Sequence, residues 1–304
     1  MKLPFFKPVV PPHVFSLLSE GMTYASVRRQ PQRGFAQWRH FPYPGNTLGA
    51  GPSGTPLFSP QTLSSAVETA RRFSQGRLSR ASVLFPDSWA RMLAIEFDAL
   101  PQDAAAARQM VSWKVKKLLP GITGELAVVF REMPPVGEQK RLLVAAAPMD
   151  TMRSIEQSFD SLGVRVGALL PASLALFEGL APLLSARARG DYGLIHRSPG
   201  SLVFFIVRQD APLFFRQRPS EEGESSHEQE LRLSLTYYAE KLAGPGLSAV
   251  YLHDAEPAEE FAADSLPVAP QRLSAGLLGA DESFDERVAS RPELLPAFAA
   301  VCGR

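Results

Sequence analysis

Gly49-Ala50-Gly51-Pro52-Ser53-Gly54 has the G-x-G-x-x-G spacing with which a chain can cradle a dinucleotide pyrophosphate. That chemistry needs a strand before the first glycine and a helix opening after the last, so that free N–H groups face the phosphates. Here no strand pattern precedes the motif, Pro56 and Pro60 follow where the helix should open, and Pro52 lacks an N–H. The motif is read as loop. The five histidines, His13, His40, His196, His227 and His253, show no i, i+3 or i, i+4 pairing, so a metal site would have to be assembled from distant segments, and solvated or internally hydrogen-bonded rings are expected. No G-x-S-x-G elbow supports a hydrolase. The single cysteine, Cys302, excludes an intramolecular disulfide and a multi-cysteine metal centre, and its place near the C-terminus suggests a spectator thiol.

Two charged clusters remain. Arg108, Lys114, Lys116 and Lys117 could meet a membrane or an acidic partner. At about 100° per residue they spread around a helix, and the lysines crowd its last turns, where cations offset the helix dipole. Glu221, Glu222 and Glu224 read as a solvated loop leading into a helix N-terminus, where negative charge is favourable. Over the whole chain 32 Lys and Arg balance 31 Asp and Glu, so no global field steers nucleic acid or anionic lipid.

The elements that must hold these residues belong to a folded chain, since 45% hydrophobic and 21% charged residues are close to ordinary globular composition. At 304 residues it suits two medium domains, or one domain with an insertion. Pro4 and Pro8 break the apolar residues of Met1 to Val10, so no signal peptide is read there. No stretch approaches the ~20 apolar residues of a membrane span.

Residues 13–29 read as a hairpin around Ser19-Glu20-Gly21, residues 41–60 as a long loop, and a helix resumes near Ser59. Strands are expected over Ala81–Phe85, Met92–Phe97, Leu126–Phe130 and Leu142–Ala147, with a helix over Asp103–Leu119. Asp150 offers an N-cap to a helix whose Met152, Ile155, Phe159 and Leu162 form one stripe, and Gly163 ends it. A strand and helix follow over Val164–Leu183, with Ile155, Phe159 and Trp113 expected to pack the lobe before them. A meander over Tyr192–Arg218 opens a second domain. The next helix carries a capping-box spacing at Ser226 and Gln229 and a stripe of Leu231, Leu235, Tyr238 and Leu242. Leu247–Leu252 is a strand and Glu293–Val301 a closing helix. No repeat of solenoid period is present.

Several segments, in order, resemble the PilM-like pilus assembly proteins. These are Leu84-Phe85-Pro86-Asp87-Ser88-Trp89-Ala90-Arg91 followed by Ile95 to Pro101, then Trp113 to Pro120, Leu143 to Pro148 with its helix and Gly163 to Gly167, Leu170 to Leu176, and Leu231 to Tyr238 leading to Val250-Tyr251-Leu252. The likeness spans about residues 80–255. It implies an α/β, actin-like (ASKHA) fold in two domains with an FtsA-like inserted α+β subdomain. Its parts would be 1–79 and 169–189 for the first domain and its link, 80–168 for the insertion, 190–280 for the second domain, and 281–304 for a C-terminal helix closing on the first.

Active members of that wider fold hold Mg-ATP with glycine-containing hairpins and carboxylates. Where the resemblance implies a first Asp-Ile-Gly-Ser signature, this chain has Ser16-Leu17-Leu18-Ser19. Where it implies a second Asp-x-Gly, the chain has His196-Arg197-Ser198, and in place of a Gly-Gly pair for adenosine it has Asp254-Ala255. The resemblance therefore implies a cytoplasmic, non-catalytic adaptor of a type IV pilus or type II secretion platform, with no cofactor and no metal. It would be peripheral to the inner membrane through partners. Its expected partner is the short N-terminal tail of a PilN-like membrane protein, with other platform proteins or the assembly ATPase beside it and no nucleic acid. The alternative is an ATP-binding, nucleotide-dependent switch of the same machinery, with Gly21 or Gly200 supporting an atypical phosphate turn.

Overall fold

The computed structural model describes residues 11–43, 49–50, 56–57, 59–74, 78–119, 124–218, 224–255 and 265–302. The hairpin forms as β1 (His13–Leu17) and β2 (Gly21–Arg28), closed by Leu18 N–H donating to Gly21 O. A third strand, β3 (Gly34–Pro42), pairs antiparallel with β2 and runs into the stretch read as loop, which also holds the short pair β4 (Gly49–Ala50) and β5 (Pro56–Leu57). The rest of the G-x-G-x-x-G motif, Gly51 to Gly54, lies outside the described residues.

Helix α1 (Pro60–Phe73) starts where Ser59 Oγ accepts from Thr62 N–H and a proline fills the first turn; it buries Leu63, Ala66, Val67 and Ala70. Strand β6 (Arg80–Phe85) then inserts beside β1, parallel to it. After a single 3-10 turn, Asp87–Trp89, the chain builds a separate layer from β7 (Arg91–Phe97), α2 (Ala104–Leu118), β8 (Leu126–Val136) and β9 (Gln139–Pro148), with sheet order β7-β9-β8. Ala107, Val111 and Val115 of α2 pack over Phe130, Leu142 and Val144 of that sheet.

The chain returns through α3 (Met149–Asp160) and β10 (Arg165–Pro171), which pairs parallel with β6 and completes a five-stranded sheet of order β10-β6-β1-β2-β3. The expected insertion of 80–168 is therefore too wide. Its first and last strands, both apolar enough to be buried, belong to the first sheet, and only 91–148 stands apart. Helix α3 opens at Met149 behind Pro148, so Asp150 lies in its first turn and is not the cap. Phe159 is fully buried and meets Phe15 edge-on, but Trp113 is 59% exposed on the far side of α2 and packs nothing in the lobe's core.

Helix α4 (Ala172–Arg187) leads to the second sheet: β11 (Tyr192–Ser198), β12 (Ser201–Arg208) and β13 (Ala211–Arg218) as a meander, α5 (Glu224–Lys241), then β14 (Ala249–Asp254) parallel to β11 and β15 (Pro270–Arg272) parallel to β14. Its order is β13-β12-β11-β14-β15. Helix α5 begins before Ser226, so the capping-box reading fails, while Leu231, Tyr238 and Leu242 are buried as the stripe requires. Glu221 and Glu222 lie outside the described residues.

After α6 (Ala275–Leu278) and α7 (Phe284–Ser290), α8 (Leu294–Cys302) runs against α4, β1 and β2. The α4–α8 crossing is close: a Cβ added to Gly179 would stand 2.0 Å from Ala299 O, so only glycine fits. Cys302 is no frayed spectator. It is buried, and burial pushes its thiol up to about 11.

Candidate functional site

The functional candidates meet where the ends of the two sheets converge. Strands β11 and β14 are parallel, with His196 opposite His253 and Arg197 opposite Asp254. Alternation along each strand sends the histidines to the face shared with Tyr192, Leu194 and Tyr251, and sends Arg197 and Asp254 to the face covered by α5. Two pairs fifty-seven residues apart in sequence thus become neighbours.

On the α5 face Arg197 Nε donates to Asp254 Oδ1 and Arg197 Nη2 to Asp254 Oδ2, both at 2.8 Å, and both side chains are buried. This is the two-pronged geometry in which guanidinium and carboxylate bind most strongly. Arg272, largely exposed, stands 3.8 Å from the same carboxylate, and Ala255 N–H donates to Arg197 O.

On the other face a chain of protons can be followed atom by atom. Pro292 O can only accept, so His253 Nε2, 3.0 Å away, carries a hydrogen. Burial, then the neighbouring His196 and Arg272, hold the His253 ring well below the usual histidine range, so the ring is neutral and its Nδ1 is a lone pair. His196 Nδ1, 2.7 Å from it, must donate. The other nitrogen, His196 Nε2, stands 3.1 Å from Asp87 Oδ2. Asp87 Oδ1 in turn accepts from Ser173 Oγ at 2.6 Å and Ser173 N–H at 3.1 Å. Asp87 thus accepts at the first turn of α4, which has no acidic residue of its own.

The first sheet reaches the same place through neutral groups and one carboxyl. Ser16 Oγ lies 3.4 Å from Glu293 O, and Thr23 Oγ1 donates to Glu293 Oε1 at 2.6 Å, with His40 Nδ1 3.0 Å from the same hydroxyl. Burial raises the Glu293 carboxyl above its usual range. Pro292 and Glu293 are adjacent, so one short segment ties β1 and β2 to His253.

Of the positions singled out in the sequence, His196 and Asp254 are thus built into this cluster, and Ser16 reaches it through Glu293. Leu18, half-buried, and Ser19, exposed with its Oγ on Glu20, stay in the β1–β2 turn. Ser198 and Ala255 are half-buried at the strand ends. Gly200 has φ +73° because the β11–β12 turn requires it, and nothing approaches it. Sequence reasoning gave no role to Asp87, Ser173 or Gln217. The available signal was a carboxylate directly behind an apolar strand and a serine opening a helix with no acid in its first turn.

A second set of contacts ties the inserted layer to the second sheet. Gln217 of β13 donates to Asp87 O and Ala90 O and accepts from Met92 N–H, while buried Arg141 of β9 donates to Leu213 O at 3.0 Å. Arg131 of β8 pairs with Glu178 of α4.

These residues do not fit a nucleotide–magnesium group. Asp254 is occupied on both oxygens by Arg197, and Asp87 by Ser173 and His196, so neither can organise a hydrated cation. Among the described residues no group of three or more His, Cys, Asp or Glu could hold a metal ion.

No family model and no curated protein matches the sequence. Among solved structures the chain is similar to one from a PilM–PilN type IV pilus biogenesis complex, at 17% identity and a TM-score of 0.73, covering 97% of this chain and 98% of that one. It is also similar to a Bacteroides thetaiotaomicron protein of actin-like ATPase fold and unknown function, at 9% identity and a TM-score of 0.51, covering 97% and 99%. The chain has the actin-like fold. That is the fold the sequence resemblance implied, and the matching order of the two sheets is its internal duplication. Within it, the Arg197–Asp254 pair and the Asp87–His196–His253 chain lie at the inner ends of the duplicated sheets. Among the described residues no helix is long and apolar enough to cross a membrane.

Proposed function

We propose that this protein is a non-catalytic adaptor of a type IV pilus or related type II secretion platform, and that it binds the short cytoplasmic tail of a PilN-like membrane protein. The observation that carries the reading is the cleft of an actin-like frame filled by the chain's own charges. A nucleotide would have to displace a bidentate ion pair whose members are both buried, at the cost of its two charge-assisted hydrogen bonds. The cross-links from Gln217 and Arg141 add that the inserted layer is fastened to the second sheet, as suits a scaffold of one shape.

The tail's seat is the groove between the inserted layer and α3. Strand β8 pairs only with β9 among the described residues, so its outer edge is open to an added strand. Ala127 and Val129 share the face toward the first domain; Ala127 packs on its core and Val129 is 39% exposed. An extended apolar tail would pair along residues 126–130 and cover Val129, with the Glu125–Arg153 pair at the groove's end.

The test is fluorescence anisotropy with a labelled N-terminal tail of a PilN-like bitopic membrane protein from the same organism. We expect micromolar binding, because a disordered tail loses entropy on ordering. Replacing the tail's apolar residues by serine, or Val129→Asp, should abolish it. Equal binding of both peptides sinks the groove. Separately, Mg-ATP should give no saturable thermal stabilisation, whereas a ligand at ~100 times its dissociation constant would add roughly 2.7 kcal/mol.

A further inference from the structure

The exposed face of α2 is the strongest feature that this function leaves unused. Its buried side is Ala107, Val111 and Val115, and the sheet beneath it turns its other face, with Met92, Met133 and Leu143, toward the rest of the molecule. Helix α2 is therefore an outermost layer. Along its outer side Met110, Trp113 and Lys117 follow one another at i, i+3 and i+7, the spacing of one stripe, while half-buried Lys114 turns its ammonium inward to Glu96 O and the Phe97 ring. Trp113 is 59% exposed and Met110 38%, and Lys117 Nζ lies 3.9 Å from the centre of the Trp113 ring. Arg108 and Lys116 widen the charge on the other flank, and no Asp or Glu occurs from Ala104 to Leu118. Asp103, just before the helix, is spent capping the first turn, at the end away from the lysines.

Offsetting the helix dipole explains the lysines of the last turns, but not an exposed indole among them. From this juxtaposition we infer that α2 is a membrane-docking element that seats on an anionic phospholipid surface, Trp113 and Met110 entering the headgroup layer while Arg108, Lys116 and Lys117 meet lipid phosphates. Charge selects the partner's sign. The exposed indole selects its kind: an aromatic ring left in water among cations is covered by entering an apolar–polar boundary, which an anionic lipid surface offers. An amphipathic indole next to snorkelling lysines is the side-chain pair that lies most favourably at a lipid–water boundary.

The whole chain is tested by flotation with vesicles of phosphatidylglycerol in phosphatidylcholine, beside vesicles of phosphatidylcholine alone. Flotation is expected only with the anionic vesicles at 0.1 M salt, and loss of it at 1 M, where the screening length falls from about 10 Å to about 3 Å. Lys116→Glu with Lys117→Glu, which leaves the Lys114 contact to Glu96 O in place, should lower the partition constant by about 25-fold or more, at roughly fivefold per lysine. Trp113→Ala should weaken it further with the melting temperature unchanged, and Trp113 emission should shift to the blue on binding. Trp89 is buried and Trp38 half-buried, so Trp113 dominates that signal. The inference is overturned by equal flotation on neutral vesicles, by full binding of the double variant, or by retention on immobilised poly-glutamate without flotation, which would make the partner an acidic protein.

Discussion

The two five-stranded sheets have one topology, three antiparallel strands followed by two parallel ones, yet they end differently where they converge. In the first sheet the polar groups at the inner ends are neutral hydroxyls and an imidazole gathered on Glu293. In the second they are a buried Arg197–Asp254 pair and a histidine pair coupled to Asp87. A frame that is symmetric in its backbone has thus placed its buried charges unevenly: Arg197, Asp254 and the histidine pair stand on the second sheet, and Asp87, just behind β6 of the first, reaches across to them. The lesson is that topology fixes where a cleft lies, while the residues at a few strand ends decide whether it is open to a ligand or closed by the protein itself.

The sharpest way to break this asymmetry is Arg197→Met. It leaves the Asp254 carboxylate without its bidentate partner, and we expect a loss of about 3 to 5 kcal/mol in denaturant unfolding. Adding Asp254→Leu should return most of that, because an apolar pair of similar volume removes the orphaned charge. A double variant no better than the single one would mean that the pair is not the unit that closes the second half. The matching change in the first half is Thr23→Val, which removes the hydroxyl donor to Glu293 and the partner of His40 Nδ1. About 1 to 3 kcal/mol is expected there, and the melting temperature should fall accordingly. A larger effect than Arg197→Met would reverse the ranking of the two halves.

Much of the frame was legible because it is written in apolar periodicity. The β1–β2 hairpin, the meander of β11 to β13, the stripe of Ile155 and Phe159, and the closing helix over residues 294–302 all follow from local pattern and turn chemistry. Strand β3 was not, because Gln37, Arg39 and His40 make an edge strand look like loop. The insertion's limits were not, because β6 and β10 are as apolar as the strands beside them and only pairing assigns them to the first sheet. Trp113 was placed in a core on hydrophobicity alone, although its helical position opposite Val111 sends it outward. The site was the least legible part. His196 and His253 have no shared local spacing and meet only through the parallel pairing of β11 with β14, and Asp87 reaches them from a different sheet. Segments separated by dozens of residues leave no periodic trace of such a meeting.

The smallest expected effect is also the most specific, because two buried groups, His253 and Glu293, should respond to pH with opposite signs. His253 is held below its ordinary 6.5 by burial, with His196 and Arg272 adding to the effect, so below that pH the unfolded chain binds a proton that the folded chain refuses. Stability from this group is present above pH 6.5 and is lost as pH falls, at no more than about 1.4 kcal/mol per pH unit. Glu293 is raised above its ordinary 4.5 by burial, against the hydrogen bond from Thr23 and the charge of Arg291, with Glu20 reinforcing the rise. From 4.5 up to its own raised value the folded chain holds the extra proton, so stability falls there as pH rises. Just above pH 4.5 the two slopes oppose, and the intact protein should show a flattened profile there. Urea midpoints from pH 4.5 to 6.5 separate them. In Glu293→Gln stability should climb more steeply with pH, through His253 together with His13 and His40, which burial also lowers; in His253→Gln the climb should be shallower than in the intact protein. Identical profiles in both variants would show that neither buried group sets the acid response, and that the difference between the halves is one of geometry without consequence for proton binding.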